Sequence, residues 1–378
     1  MSIDTSKLID GLNSAGMPKK GYEVTQEGDA GTIETPYLAA ADVDFDQILR
    51  KCGFNPDVYE IVGDPKVKRW EAQTPDRIEW LSSYGISVRK RADQSADVDE
   101  LVQIIRCEDT AALPPRADLD GLPTVFAVGD TQLGKPDGDG TEGTVRRFKA
   151  SVEKAVALYD KTPTQSVLIA FLGDLIEGFV SQGGKVAGYS ELTLTEQLRL
   201  MRHLAAHAIS EFRAVCADVH VAVAPGNHSE GFRAPFSTKP SDNFDTDVIR
   251  AVEEAYILAG VDGLTFHYPQ GEELAVAVEL GDVKILCHHG HSWRPGKHFQ
   301  WWEGQTFGKR TGWDAQYLLS GHLHHLHIEA SSDRLFIQVP AMESRSDWWV
   351  NKTGQTGNPG AIYMIPAPSG HPVTLTVV

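Results

Sequence analysis

The stretch SGHLHHLHIEA, residues 320–330, places His322, His324, His325 and His327 within six positions. Imidazole nitrogen is a ligand for divalent transition metals, so this density points first to metal binding. Four further clusters repeat the theme. PTVFAVG runs into GDTQLG, with Asp130 and Gln132, and SVLIAFL runs into GDLIEG, with Asp174. DVHVAVA leads to PGNHSE, with Asn227 and His228, and VKILC leads to HHGHSW, with His288, His289 and His291. Carboxylate, amide oxygen and imidazole without thiolate make a mixed donor set that suits Mn, Fe or Zn. One such cluster reads equally well as a buried polar residue capping a helix. Five in this order do not.

The elements between the clusters explain how they meet. Each cluster follows the carboxyl end of a short apolar run that reads as a strand. Between these runs, 142–160 and 191–216 carry apolar residues at helical spacing. Strands alternating with helices give an α/β class, with a mixed sheet or two packed sheets flanked by helices. Ligands bind at the carboxyl edge of such sheets. The glycines beside each polar residue permit tight turns, so side chains from separate strands can converge. On an extended segment His322 and His324 share one face, leaving His325 and His327 as structural or near-surface residues.

The ordered set Asp130, Gly173-Asp174, Gly226-Asn227-His228, His289-Gly290-His291 and Gly321-His322-Leu323-His324 resembles the calcineurin-like metallophosphoesterases, over about residues 120–345. The resemblance implies a four-layer αββα sandwich, preceded by a small N-terminal α+β or helical region. It also implies two divalent metal ions. Asp130, residue 132, Asp174 and His324 would hold the first. Asp174, Asn227, His289 and His322 would hold the second, with Asp174 shared. A hydroxide bridging the ions would attack phosphorus, and His228 would protonate the leaving oxygen or stabilise the transition state. His289 is preferred over His288 because it directly precedes the glycine. His291 reads as a residue at or beside the site.

Two departures refine this. Gln132 stands where the family has His. An amide oxygen is a harder, weaker ligand, so the expectation is Mn²⁺, or Mg²⁺, ahead of Fe²⁺ or Zn²⁺, or else that Gln132 does not ligate and the enzyme is weakened. Glu177 and Gly178 stand where protein phosphatases of the superfamily have Asp and Arg, and Ser229 replaces their acid. The missing Arg removes a bidentate phosphate clamp, which argues against a protein phosphatase.

Between the fourth and fifth clusters, residues 291–314 interleave Trp293, Phe299, Trp301, Trp302, Phe307 and Trp313 with Arg294, Lys297, Lys309 and Arg310. Aromatics with nearby cations suit unpaired bases and phosphate backbones. A helix packing its tryptophans on a sheet reads the same way. His291, Arg294 and Trp301 are the substrate candidates, with Arg146 at the same rim or on a solvated helix face. The layout is most similar to the SbcD-like DNA-repair nuclease branch, and within it to phosphoesterases of actinobacterial phages, which share a GH-x-HH stretch and a later SDW like Ser346, Asp347 and Trp348. That implies a DNA exo- or endonuclease. Its partners would be a coiled-coil ATPase or a phage replication protein. The alternatives are a phosphodiesterase for a small or cyclic nucleotide, and a non-catalytic metal-binding module.

Composition sets the frame. The chain has 378 residues and a net charge of −17, which disfavours nucleic-acid attraction through the global field but not through bound cations. No apolar run approaches the roughly 18 residues of a membrane span, and the N-terminus lacks the apolar core of a signal peptide, so a cytoplasmic protein is expected, in the host cytoplasm if phage-encoded. Cys52, Cys107, Cys216 and Cys287 lie far apart and read as free thiols. The proline-containing stretch 107–123 reads as a linker, dividing an N-terminal accessory region and linker, 1–115, from the phosphoesterase domain, 116–378. Within the first, 41–62 has the size of a helix–turn–helix, and 66–70 and 87–91 are small basic clusters.

Overall fold

The computed structural model describes residues 21–27, 30–36, 38–39, 43–73, 78–90, 98–105, 121–181, 184, 188–233, 238–345, 350–351, 354 and 357–378. Most of the 107–123 linker, Cys107 and the Ser346-Asp347-Trp348 stretch lie outside these residues. Contacts divide the chain into two units, 1–94 and 95–378. The second begins earlier than the 116 read from the sequence. The reason is a helix at Val98–Ile105 whose Val98 and Val102 are buried in that unit's largest apolar cluster.

The first unit is a six-stranded antiparallel sheet with one described helix. Its elements are β1 (Glu23–Glu27), β2 (Ala30–Glu34), β3 (Leu38–Ala39), α1 (Phe45–Lys51), β4 (Tyr59–Ile61), β5 (Lys66–Gln73) and β6 (Ile78–Lys90). Asp44 caps α1 by accepting from the Gln47 amide at 3.1 Å. Ile48 and Leu49 of α1 bury against Ile33, Ile86 and Val88 of the sheet. Asn55-Pro56 opens a turn into β4 rather than a second helix, so the helix–turn–helix-sized segment is helix, turn and strand.

The second unit adds α2 (Val98–Ile105), β7 (Pro123–Val128), α3 (Gly140–Lys161), β8 (Ser166–Phe171), α4 (Leu194–Val215), β9 (Val219–Val223), α5 (Phe244–Leu258) and β10 (Leu264–His267). It continues through β11 (Ala275–Leu280), β12 (Val283–His288), α6 (His298–Phe307), β13 (Tyr317–Ser320), β14 (His327–Ser331), β15 (Arg334–Gln338), β16 (Ile362–Ile365) and β17 (Thr374–Val377). Two sheets form. The first runs β10-β9-β8-β7-β16-β17 and the second β11-β12-β13-β15-β14. β7 to β10 are parallel, as are β12, β13 and β15.

Strand alternation decides the layering. Val125, Ala127, Leu168 and Ala170 of the first sheet face Ile285, Cys287, Tyr317 and Leu319 of the second in a dry inter-sheet core. There burial pushes the Cys287 thiol up to about 12, which keeps it neutral. The alternate residues, among them Phe126, Ile169 and Val221, pack on Phe148, Leu204, Phe212 and Val248 of α3, α4 and α5. On the far side, Leu286, Leu318 and Phe336 pack on Trp302 of α6. The order is helices, sheet, sheet, helix: the four-layer αββα sandwich. Both parallel sets end on the same side, as their joint loops show. The His322 amide, after β13, donates to Asp130 Oδ2, after β7, at 2.8 Å, and His289 Nδ1, after β12, is 2.7 Å from the Leu172 carbonyl, after β8.

Candidate metal centre

All five clusters lie at the carboxyl ends of β7, β8, β9, β12 and β13. Their backbone is unusual. Seven non-glycine residues among those described have positive φ, and five of them are Asp130, Gln132, Asp174, His322 and His324. Holding an L-residue in a sparsely populated region costs on the order of 1–3 kcal/mol, so strain gathered at five polar positions marks a site the fold over-determines. It also corrects the alternation argument. Residues 321–326 are not strand, 322–325 being bends, and β14 starts only at His327. His322 and His324 turn inward through left-handed backbone.

Glycines supply the closeness. A Cβ on Gly173 would stand 2.8 Å from both the Gly226 nitrogen and His289 Nδ1, and Gly173 itself has φ +84°. A Cβ on Gly321 would stand 2.5 Å from Asp130 Oδ2. Neither position accepts a side chain without moving a candidate ligand.

Asp174 is the centre of the cluster. Its Oδ1 accepts from the His228 amide at 2.7 Å, and its Oδ2 lies 2.9 Å from His289 Nε2. Donor atoms of Asp174, His289 and His322 lie within 4.8 Å of one another. His289 Nδ1 is 2.7 Å from the Leu172 carbonyl, so it donates there and leaves Nε2 as the nitrogen that faces Asp174 and can ligate once its proton is displaced. His324 repeats the arrangement. Its Nδ1 donates to Glu343 Oε1 at 2.6 Å, and its Nε2 lies 3.2 Å from Asp130 Oδ1. Metal-ligating histidines are oriented in this way by an acceptor on the second nitrogen.

Buried His289 Nε2, Asp130 Oδ1 and Asn227 Oδ1 have no hydrogen-bond partner. Buried polar atoms in folded proteins are mostly paired, so unsatisfied ligand-type atoms at the ends of three strands fit a bound cation. Without one, protons substitute. Burial works against charge on His289 and His324, but the Asp174 and Asp130 carboxylates outweigh it, raising the two rings to about 9 and about 10. Asp130 and Asp174 are correspondingly held below the usual carboxylate range, again against burial. Metal must displace those protons.

Gln132 is placed differently from its neighbours. Its Oε1 accepts from Lys135 Nζ at 2.9 Å, while its amide nitrogen is 3.4 Å from His324 Nε2. Lys135 also pairs with Glu343 at 2.6 Å. The oxygen that would ligate metal is thus occupied by an ammonium group. His291 lies with ring centroids 5.4 Å from His289 and 6.2 Å from His322, and its Nδ1 is buried and unpartnered. Burial, and then the charge on His289, push it down to about 3, so it is neutral.

His228 sits at the rim, with Nε2 4.0 Å from Asp174 Oδ2 and Nδ1 3.4 Å from Glu177 Oε2. Burial alone would lower its pKa; Asp174 and Glu177 outweigh burial and raise it.

The remaining candidates are elsewhere. Arg146 is on the exposed face of α3, paired with Glu142 one turn away. Trp301 of α6 packs at a tilt against His288 at 4.8 Å and Trp293 at 4.7 Å, and against the Trp302 core cluster. The helix-packing reading therefore describes this tryptophan. Arg294 is exposed on the loop before α6.

Four residues of the centre carry no motif. Asp245, at the start of α5, accepts from the amides of Asp174, Leu175 and Gly226 at 2.9–3.0 Å and from the Ser229 hydroxyl at 2.5 Å. Arg233 bonds to the Asn227 carbonyl and to Glu230. Glu343 and Lys135 complete the His324 chain. The acid in SDNFDTD at the start of an amphipathic run was the one readable signal.

No family model and no curated protein matches the sequence. Several solved structures are similar to part of it. An archaeal phosphodiesterase is 12% identical, covering 68% of this chain and 99% of its own, with TM-score 0.31. A predicted phosphoesterase from Streptococcus pneumoniae is 14% identical, covering 66% and 86%, with TM-score 0.29. Vps29 of Entamoeba histolytica, complexed with zinc, is 14% identical, covering 64% and 84%, with TM-score 0.29. Likenesses this weak carry no argument about the site, which stands on its own geometry.

Proposed function

We propose that this chain is a divalent-metal-dependent phosphodiester hydrolase. The observation that carries the reading is the convergence of Asp174, His289 and His322, whose donor atoms lie within 4.8 Å of one another, together with the buried Asp130–His324 pair at 3.2 Å. Asp130, Asp174 and His324 would hold one ion, and Asp174, Asn227, His289 and His322 the other. Bound there, two cations would draw charge from a phosphate and acidify a water. The chain's own residues do the rest. The His228 amide fixes one oxygen of Asp174 and leaves the other for the centre. The His228 ring, held protonated beside Glu177, is placed to give its proton to a leaving oxygen. Neutral His291 offers a free nitrogen beside the histidine pair.

The substrate class is a nucleotide phosphodiester. DNA is the first reading, from the motif resemblance to the nuclease branch. A small or cyclic nucleotide is the second, for which half-buried Trp301, beside Arg310 in one cavity, would stack a single base. A weakened, metal-binding module is the third, favoured by the engagement of Gln132 with Lys135.

One assay separates them: hydrolysis with added Mn²⁺ of end-labelled single- and double-stranded DNA and of a chromogenic phosphodiester. The proposal expects the diester to be cut. Cutting of DNA as well, with a steep loss on raising salt, selects the nuclease. Cutting of the diester alone selects the small nucleotide. Failure on every substrate, with Mn²⁺ bound, leaves the binding module.

A further inference from the structure

His327, the last histidine of the opening cluster, faces away from this centre and meets a second set of metal-type donors. His298 is the first residue of α6, and His327 and Glu329 alternate on β14, the edge strand of the second sheet. Donor atoms of the three lie within 4.8 Å of one another. We propose that His298, His327 and Glu329 bind a transition-metal ion of the zinc class, separate from the Asp174 centre.

The distances fit. Zinc bonds of about 2.0–2.2 Å to nitrogen and carboxylate oxygen put tetrahedral ligands roughly 3.3–3.5 Å apart. Glu329 Oε2 stands 3.0 Å from His298 Nε2 and 3.5 Å from His327 Nε2.

The decisive feature is His298. Its side chain is 3% exposed, and its Nε2 is buried with no hydrogen-bond partner, although the Glu329 oxygen is so near. A buried imidazole nitrogen brought this close to a carboxylate and grouped with a second imidazole has the donor arrangement of an ion site.

The rings are fixed in advance. His298 stacks on Phe336 at 3.8 Å and 11°, and His327 meets the same ring edge-on at 5.7 Å. Burial holds the His298 pKa below its ordinary value, favouring the neutral form that ligates. Two imidazoles and one carboxylate suit Zn²⁺, Co²⁺ or Ni²⁺ better than Mg²⁺ or Ca²⁺. Glu329 is half exposed, so the remaining coordination position opens to solvent. An ion here would clasp the first turn of α6 to the edge strand.

The test is equilibrium dialysis of the full chain against Zn²⁺, with metal analysis, for the unaltered protein, His327→Ala and Glu329→Gln. Both substitutions are on the exposed edge strand, so the buried core is spared. The expected result is one fewer zinc per chain in each variant, a smaller rise of the melting temperature with zinc, and unchanged Mn²⁺-dependent diester hydrolysis. Equal zinc content in all three proteins overturns the assignment. So does a zinc loss accompanied by loss of hydrolysis, which would place the ion in the Asp174 centre.

Discussion

His228→Ala is expected to lower diester hydrolysis by about 10²–10⁴-fold, the range of a lost general acid, while metal binding persists. The two effects separate because His228 plays two parts with different atoms. Its backbone amide bonds to Asp174 Oδ1 at 2.7 Å, and alanine keeps that amide. Its ring alone faces the reacting side. Asp174 and Glu177 raise the pKa of the ring against burial. A cation at Asp174 cancels much of that carboxylate's effect and leaves Glu177, 3.4 Å from Nδ1, as the residue that keeps the ring charged. An acid works only while protonated, so the rate should fall as pH rises through the His228 pKa. Glu177→Gln should move that falling limb to lower pH without removing metal. Steady-state rates across pH, beside Mn²⁺ binding isotherms for each variant, are the measurement. Loss of Mn²⁺ from His228→Ala would count against the acid role, and an unmoved limb in Glu177→Gln would assign the raised pKa to another group.

The second large effect is on stability. Asp245→Ala removes the acceptor of three buried amides and one hydroxyl at once. Each buried donor left unpaired costs about 1–3 kcal/mol, so the four together cost on the order of 4 kcal/mol or more. That is a large share of the roughly 5–15 kcal/mol by which a domain is stable. At about 2–4 °C per kcal/mol, the melting temperature should drop by on the order of 10 °C. Asp245→Asn should cost less, because its carbonyl keeps two of the acceptor bonds while its amide group faces the Leu175 N–H. Burial, and then the charge of Asp174, raise Asp245 to about 6 despite those donors. The sign follows: the protonated form is favoured on folding, so in metal-free protein this group's contribution is present below about 4, the ordinary carboxylate value, and is lost as pH rises through about 6. Cations on Asp174 relieve the repulsion, so Mn²⁺ should stabilise the unaltered protein. Thermal melts at several pH values, with and without Mn²⁺, test this. A melting temperature of Asp245→Ala equal to that of the unaltered protein would remove Asp245 from its place as the residue that ties two of the clusters together.

Strands followed by glycine and a ligand-type residue have few explanations, which is why the layers and the inward set Asp130, Asp174, Asn227, His289, His322 and His324 were legible. The mechanism of convergence was not. Alternation along a strand predicted that His322 and His324 share a face, whereas left-handed backbone turns them inward. Backbone sign is invisible in a sequence when the residue is not glycine. Asp245 and Glu343 were missed because each acts from an element distant in sequence, and Lys135 because an isolated lysine beside a cluster has no pattern. The aromatic run left two readings open, because tryptophans beside cations look the same whether they stack on bases or, like Trp302, pack on a sheet. His327 was set aside as a near-surface residue, and its neighbour His298 lies 29 positions away.

The central claim is that Asp174 is shared by two cations. Electron paramagnetic resonance of the full chain loaded with Mn²⁺ tests it most directly, because only ions held by a common ligand are exchange-coupled. The account predicts the signal of a coupled Mn²⁺ pair, absent in Asp174→Asn. A signal from isolated Mn²⁺ alone in the unaltered protein, or a coupled pair that survives Asp174→Asn, would contradict it.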